Sequence, residues 1–352
     1  MFENVNALIL KAIEKDIFPG AVCSISFQGK NCFKRAYGMS NRITKEECEV
    51  GTVFDLASIT KMFTATLILR LISERKLSLS TRLVECLPIL KGRPKLEDVT
   101  IYQLLTHSSG IKPWFPFYTI SSNGGFMQDF KKVDVINSSV EETNYSDLNY
   151  MILGEIIQHK LGMSLSNVIE LYFRDCLNFK TITYKPKTDE MQIAATEFGN
   201  RIEKQMCLTQ EMIFNGWRDD SMPIIGEVND GNCFYYFKGE AGHAGLFSNA
   251  EDVIKLGELY IGEREKGFIE KEILTDSLKK QIGNRGLGWE TSGSFPRGFG
   301  HTGFTGTALW VVPGLRLVVS FMTNRLHTQS PVNINDFRRK LFQEILKNFR
   351  GE

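Results

Sequence analysis

Segments that read as β-strands stand only near the two ends of this 352-residue chain, while its long middle reads as helix and loop. Strands need partners, so the two ends have to meet in one antiparallel sheet, with the helical middle inserted between them. Near the start, Ala21–Phe27 and Cys32–Tyr37 flank Gln28-Gly29-Lys30, a hairpin pattern. Near the end, Gly298–Gly303, Thr307–Val312 and Arg316–Thr323 read as three short strands. Pro313-Gly314-Leu315 joins the last two. The expectation is an α/β chain: a sheet domain flanked by helices from residues 1–55 and 240–352, and a mostly helical domain from 56–239.

Residues 4–16 read as a helix, with Leu8, Ile9, Ala12 and Ile13 on one stripe and Gly20 as its stop. From Lys61 to Leu77 apolar residues fall on nearly every side, which predicts a helix buried deep in the fold. Thr100–Thr106 predicts a short helix. Tyr145–Ile157 predicts a long one, with Asn144 or Ser146 as N-cap and Gly162 as stop. Ala250–Tyr260 and 335–349 complete the set, the last with Phe337, Leu341, Ile345 and Phe349 in a row. Met39–Gly51 and residues 112–140 read as loops, the second with some helix.

A hydrophobic share of 42% supports a real core, and a net charge of +1 gives no reason to expect nucleic acid or an anionic membrane as partner. No window approaches the roughly 18 to 20 apolar residues of a membrane span. The first fifteen residues mix charges with apolar positions, as an amphipathic helix does and a signal peptide does not. Seven cysteines, odd in number and with no C-x-x-C pair, favour neither a disulfide framework nor a zinc site. A cytoplasmic protein without cofactor or metal is expected.

Ser-x-x-Lys occurs four times, at Ser58/Lys61, Ser73/Lys76, Ser109/Lys112 and Ser277/Lys280. One helical turn brings such a pair together. Only Ser58 and Lys61 combine a helix start with apolar flanks, Phe54, Leu56, Met62 and Phe63. A serine at a helix N-terminus beside an amine has the parts of an activated nucleophile. Burial there is expected to pull the Lys61 pKa towards neutrality, as a base requires. Tyr145-Ser146-Asp147 offers a phenol that nearby cations could make basic and a carboxylate that could bind an ammonium; it also reads as a helix cap. His301-Thr302-Gly303 could line a cleft at a strand edge. Gly298, Gly300 and Gly303 also satisfy G-x-G-x-x-G, but a strand follows instead of the required helix, so a dinucleotide site is rejected. His243 reads as a structural histidine; His107, His159 and His327 lack metal-ligand spacing.

In that order, Ser58/Lys61, Tyr145 and His301-Thr302-Gly303 resemble the serine β-lactamase and penicillin-binding-protein superfamily, especially its class C β-lactamase-like branch. Leu104–Gly110 and Ala241–Ala250 extend the similarity. The resemblance implies a β-lactamase/transpeptidase-like fold with the active site between an α/β sheet domain and an all-helical domain. It implies Ser58 as acylated nucleophile and Lys61 with Tyr145 as proton-transfer pair. It also implies an oxyanion hole from the backbone N–H groups of Ser58 and Phe304. Two departures stand out. Asp147 replaces the family's asparagine, and a carboxylate accepts hydrogen bonds but does not donate them. His301 replaces the usual lysine and is mostly neutral at pH 7. Both changes argue for an amide substrate other than a β-lactam, such as a muropeptide or a D-amino-acid peptide. A carboxylesterase, a β-lactamase or a non-catalytic penicillin-binding sensor are the alternatives.

Overall fold

The computed structural model describes residues 2–122, 124–136, 142–264 and 266–349. Helix α1 (Glu3–Glu14) opens the chain and ends where Asp16 takes a left-handed backbone, φ 58°. Gly20 is therefore not the helix stop expected from its spacing. It is the first residue of strand β1 (Gly20–Phe27), where a Cβ would lie 2.3 Å from the Met39 carbonyl oxygen. Gln28 and Gly29, at φ 53° and 73°, turn the chain into β2 (Lys30–Asn41). Two successive positive-φ residues give the tight turn whose twist matches a hairpin. The polar stretch Met39–Gly51 is only partly loop: β2 runs on to Asn41, and β3 (Glu46–Glu47) pairs with it. An edge strand exposed to water needs no apolar alternation, so its polarity hid it.

After β4 (Phe54–Asp55) comes α2 (Thr60–Ser73), shorter than the expected Lys61–Leu77 because Arg75 turns left-handed at φ 59°. The middle continues with α3 (Ile101–Leu105), α4 (Asp147–Leu161) and α5 (Arg201–Thr209). Thr100 caps α3 in a reciprocal box with Gln103, and Ser146 caps α4, which Gly162 ends at φ 65°. Residues 112–136 hold a helix at Phe126–Lys132; the end of the expected loop, 137–140, lies outside the described residues. Strand β5 (Phe247–Ser248), α6 (Ala250–Tyr260), strands β6 (Phe299–Thr302), β7 (Ala308–Val312) and β8 (Leu317–Thr323), and α7 (Asn335–Lys347) close the chain.

Six strands form one antiparallel sheet in the order β3-β2-β1-β8-β7-β6. The two chain ends meet at its centre, from Ala21 opposite Thr323 to Phe27 opposite Leu317. Alternation along β1 sends Ala21, Cys23 and Ile25 to one face, into a cluster with Val5 and Ile9 of α1 and Leu341 and Ile345 of α7. Val22 faces the other side and joins Val253 and Leu256 of α6, together with the buried side chains of α2 and α4. Gly257 lets α6 lie flat on the sheet: a Cβ there would sit 2.3 Å from Val318 Cγ1. The fold is a mixed α/β architecture, with helices on both sheet faces and a helical middle beside it. All seven cysteines are free.

Candidate active site

Ser58 sits on a tight helical turn, Ala57–Ile59, that leads into α2. The turn is pinned from several directions. β4 pairs with β5, and the Asp55 carboxylate accepts from the backbone N–H groups of Ala57 (2.8 Å) and Asn229 (2.7 Å). Across the cleft, Thr305 and Thr307 donate their hydroxyls to the carbonyls of Asp55 (2.7 Å) and Leu56 (2.9 Å). This contact explains Gly303: a Cβ there would lie 2.0 Å from Thr307 Oγ1 and 2.6 Å from the Leu56 oxygen. The end of β6 and the nucleophile turn can approach only through a glycine.

Two donors converge on the Ser58 hydroxyl: Lys61 Nζ at 3.0 Å and Tyr145 Oη at 2.9 Å. Lys61 is wholly buried, and its ammonium also donates to the His243 carbonyl at 2.9 Å and pairs with Asp147 at 2.7 Å. An ammonium has three donors, and all three are used. Burial alone would lower the Lys61 pKa. The Asp147 and Tyr145 charges and their hydrogen bonds outweigh it, so Lys61 stays above its ordinary value. The expected fall towards neutrality is thus corrected: Lys61 is a fixed cation in the resting site. Burial likewise raises the Tyr145 phenol, against the opposing pull of Lys61.

Tyr145 stands just before the α4 N-cap, and its placement depends on a residue that sequence spacing did not single out. His107, left-handed at φ 57° and buried, accepts the Ser146 backbone N–H on Nδ1 at 3.0 Å. Its ring lies 4.7 Å from that of Tyr145. Burial and the charges of Arg285 and Lys61 hold His107 far below the usual histidine range, so it stays a neutral acceptor. Its signal is the Leu104–Gly110 stretch, which carries part of the family resemblance but no role for His107 by itself.

His301 is buried, with Nδ1 3.0 Å from the Thr302 carbonyl and its ring 5.9 Å from that of Tyr145. Burial, with Lys61 and Arg285 adding repulsion, pushes its pKa down to about 3. With Nδ1–H donating to Thr302, Nε2 is a bare acceptor without a partner among the described residues. His301 therefore cannot serve as a cationic anchor. Thr302, Gly303 and Phe304 line the same cleft, with Phe304 45% exposed. His243 binds Asp230 through Nε2 at 2.9 Å, so it is held structurally while its carbonyl serves Lys61.

Two arginines also escaped the sequence reading. Arg338, on α7, donates to the Gly303 and Thr307 carbonyls at 2.9 Å each, and burial draws its pKa down to about 9. Arg325 donates to the Phe304 carbonyl at 2.8 Å. An arginine one helical turn before Leu341 on the apolar face of α7 was the available signal. The resulting cleft has a volume of about 540 Å³ and is lined by Ser58, Tyr145, Asp147, Thr302 and Phe304 on its catalytic side. Among the described residues, no group of three or more His, Cys, Asp or Glu side chains is placed to hold a metal ion, and no helix is long and apolar enough to cross a membrane.

The model of the Beta-lactamase family matches residues 5–343, nearly the whole chain. The chain belongs to the beta-lactamase family. As a member it is a serine hydrolase. It is 30% identical to the N-acetylmuramyl-L-alanine amidase of Bacillus subtilis, over 90% of this chain and 80% of that protein. It is 28% identical to a putative D-alanyl-D-alanine carboxypeptidase of Escherichia coli K12, over 80% of this chain and 70% of that one. Among solved structures, a class C beta lactamase from Rhodobacter sphaeroides aligns with a TM-score of 0.73 at 21% identity, covering 97% of this chain and 99% of that chain. EstCE1, a hydrolase with promiscuous acyltransferase activity, aligns with a TM-score of 0.75 at 17% identity, covering 97% of each. These likenesses establish the fold.

Proposed function

We propose that the chain hydrolyses an amide bond in a small peptidoglycan-derived molecule, a muropeptide or a D-amino-acid peptide, through an acyl-enzyme on Ser58. The observation that carries this reading is the convergence of Lys61 and Tyr145 on the Ser58 hydroxyl within 3.0 Å, with Asp147 holding the lysine as a cation. In this reading Tyr145 is the base, in its phenolate form, and the Lys61 ammonium stabilises that phenolate. Ser58 Oγ bonds to the substrate carbonyl carbon and passes its proton to Tyr145. Tyr145 then gives that proton to the leaving nitrogen as the C–N bond breaks. Water attacks the ester by the reverse exchange and frees Ser58. In this reading the backbone N–H groups of Ser58 and Phe304 bind the developing oxyanion, where each such donor contributes about 3 kcal/mol.

Asp147 and His301 support an amide other than a β-lactam. Both present acceptors where a β-lactam brings its own carbonyl and carboxylate oxygens. The B. subtilis amidase and the E. coli carboxypeptidase support a peptidoglycan-derived substrate. Incubation with purified muropeptides followed by mass spectrometry should show release of the peptide stem or of a terminal D-amino acid. The Ser58→Ala variant should release neither. An enzyme that cleaves p-nitrophenyl acetate but no amide would be an esterase, and the proposal would fall.

A further inference from the structure

The cleft has a second wall that the proposed chemistry does not use. Glu197, Glu203, Asn229 and Asp230 all line it, contributed by α5 and the segments on either side of it. Each side chain is held in place. Glu203 accepts the Tyr118 hydroxyl (2.8 Å) and the Gly231 backbone N–H (2.7 Å). Asp230 spends Oδ1 on His243 and the Cys233 N–H, while no described residue bonds its Oδ2. Asn229 is only 4% exposed and directs its amide nitrogen to Glu197 at 3.3 Å. A carboxylate accepts only, which fixes the amide's orientation. Asn229 Oδ1 then has no donor among the described residues, a buried acceptor left for a ligand to satisfy.

We propose that this wall binds a primary ammonium group of the substrate, with Asp230 supplying the charge and Glu203 and Asn229 further acceptors. The inference rests on the reading of the cleft as the substrate site and adds to it the substrate's charge. A metal ion fits less well, because the carboxylates are not grouped for metal ligation and all three are engaged by backbone N–H groups. Sugar hydroxyls would satisfy Asn229 but would not offset the mutual repulsion of Glu203 and Asp230. His243 already takes Asp230 Oδ1, and two nearby arginines are committed elsewhere. Arg218 donates to Asn200 and to the Val228 and Asn229 carbonyls, and Arg325 is bound to Phe304 and Val332. Burial and the charge of Asp230 push the Glu203 carboxyl up to about 8, a strain that a bound cation relieves.

Calorimetric titration of the Ser58→Ala chain tests this without turnover. The probes are Lys-D-Ala-D-Ala peptides acetylated at the α-amine, at the ε-amine, or at both. One of the two free-amine peptides should bind at least about tenfold more tightly than the diacetyl peptide. Adding Asp230→Asn or Glu203→Gln should reduce that preference to about threefold or less. Equal affinity for all three peptides would overturn the inference, as would a preference that survives both substitutions or no binding of either free-amine form. Release of peptide from muropeptides by the unsubstituted chain would then still leave the serine amidase reading in place, so the two ideas fail separately.

Discussion

At the residue scale, the site turns on the protonation of three groups packed around one hydroxyl. Lys61 was expected to approach neutrality, and the reason it does not lies 86 positions away along the chain, in the Asp147 carboxylate 2.7 Å from Nζ. A sequence shows burial through its apolar flanks, but it does not show which charge will be folded against a buried group. In the proposed mechanism the base is the phenolate of Tyr145, whose pKa lies above its ordinary value. The sign follows: the active form is the deprotonated one, so kcat/KM should rise with pH through neutrality and into the alkaline range. His301, at about 3, adds no inflection between pH 5 and 8. A profile that falls from pH 7 to 9 in a stable enzyme would contradict the assignment. Tyr145→Phe should lower kcat by about 10² to 10⁴, the usual contribution of a general base. Asp147→Asn should lower amide turnover by about tenfold or more, since it removes a charged hydrogen bond to Lys61, and should speed acylation by a fluorescent penicillin. Equal or slower penicillin labelling would remove Asp147 as the selector against β-lactams.

Among the elements, the site is built where three segments touch: the turn before α2, the cap of α4 and the end of β6. Each was legible in part. The apolar surround of α2 marked Ser58/Lys61 out from the three other Ser-x-x-Lys pairs, and Ser146 was one of two caps considered for α4. What could not be read was their mutual contact, because Gly303, His107 and Arg338 act through partners distant in sequence. Gly303→Ala should displace β6 from the Leu56 carbonyl and cost far more activity than stability; activity near that of the unsubstituted chain would show that the approach is slack. Arg338→Leu leaves the Gly303 and Thr307 carbonyls without their guanidinium donor. Each carbonyl keeps one backbone donor, Gly306 N–H at 3.1 Å for Gly303 and Gly303 N–H at 2.7 Å for Thr307, so what is lost is a charged hydrogen bond at each. The loss should lower stability by about 1.5–3 kcal/mol apiece, as measured by denaturant titration.

Across the whole molecule, the order of strands and helices along the chain already argued for the closing of its ends into one sheet, because a small hairpin at either terminus is marginal by itself. The pairing of β1 with β8, some 300 residues apart in sequence, follows that order. Edge strand β3 and the acidic cleft wall did not follow from it, since polar segments carry no periodic signal. One hydrophobic cluster runs from Val318 and Met322 of the sheet through Leu256 of α6 to Leu67 and Leu153 of the helical middle. Because that cluster crosses the expected domain boundary, thermal unfolding should be a single cooperative transition by both near- and far-ultraviolet circular dichroism. Two separated transitions would mean that the helical middle folds on its own. The proposed mechanism requires covalent chemistry at Ser58. Rapid-quench intact-mass spectrometry during turnover of a muropeptide or an activated ester should reveal an acyl adduct on the peptide that contains Ser58. Hydrolysis with no adduct, or with the adduct on another residue, would contradict it.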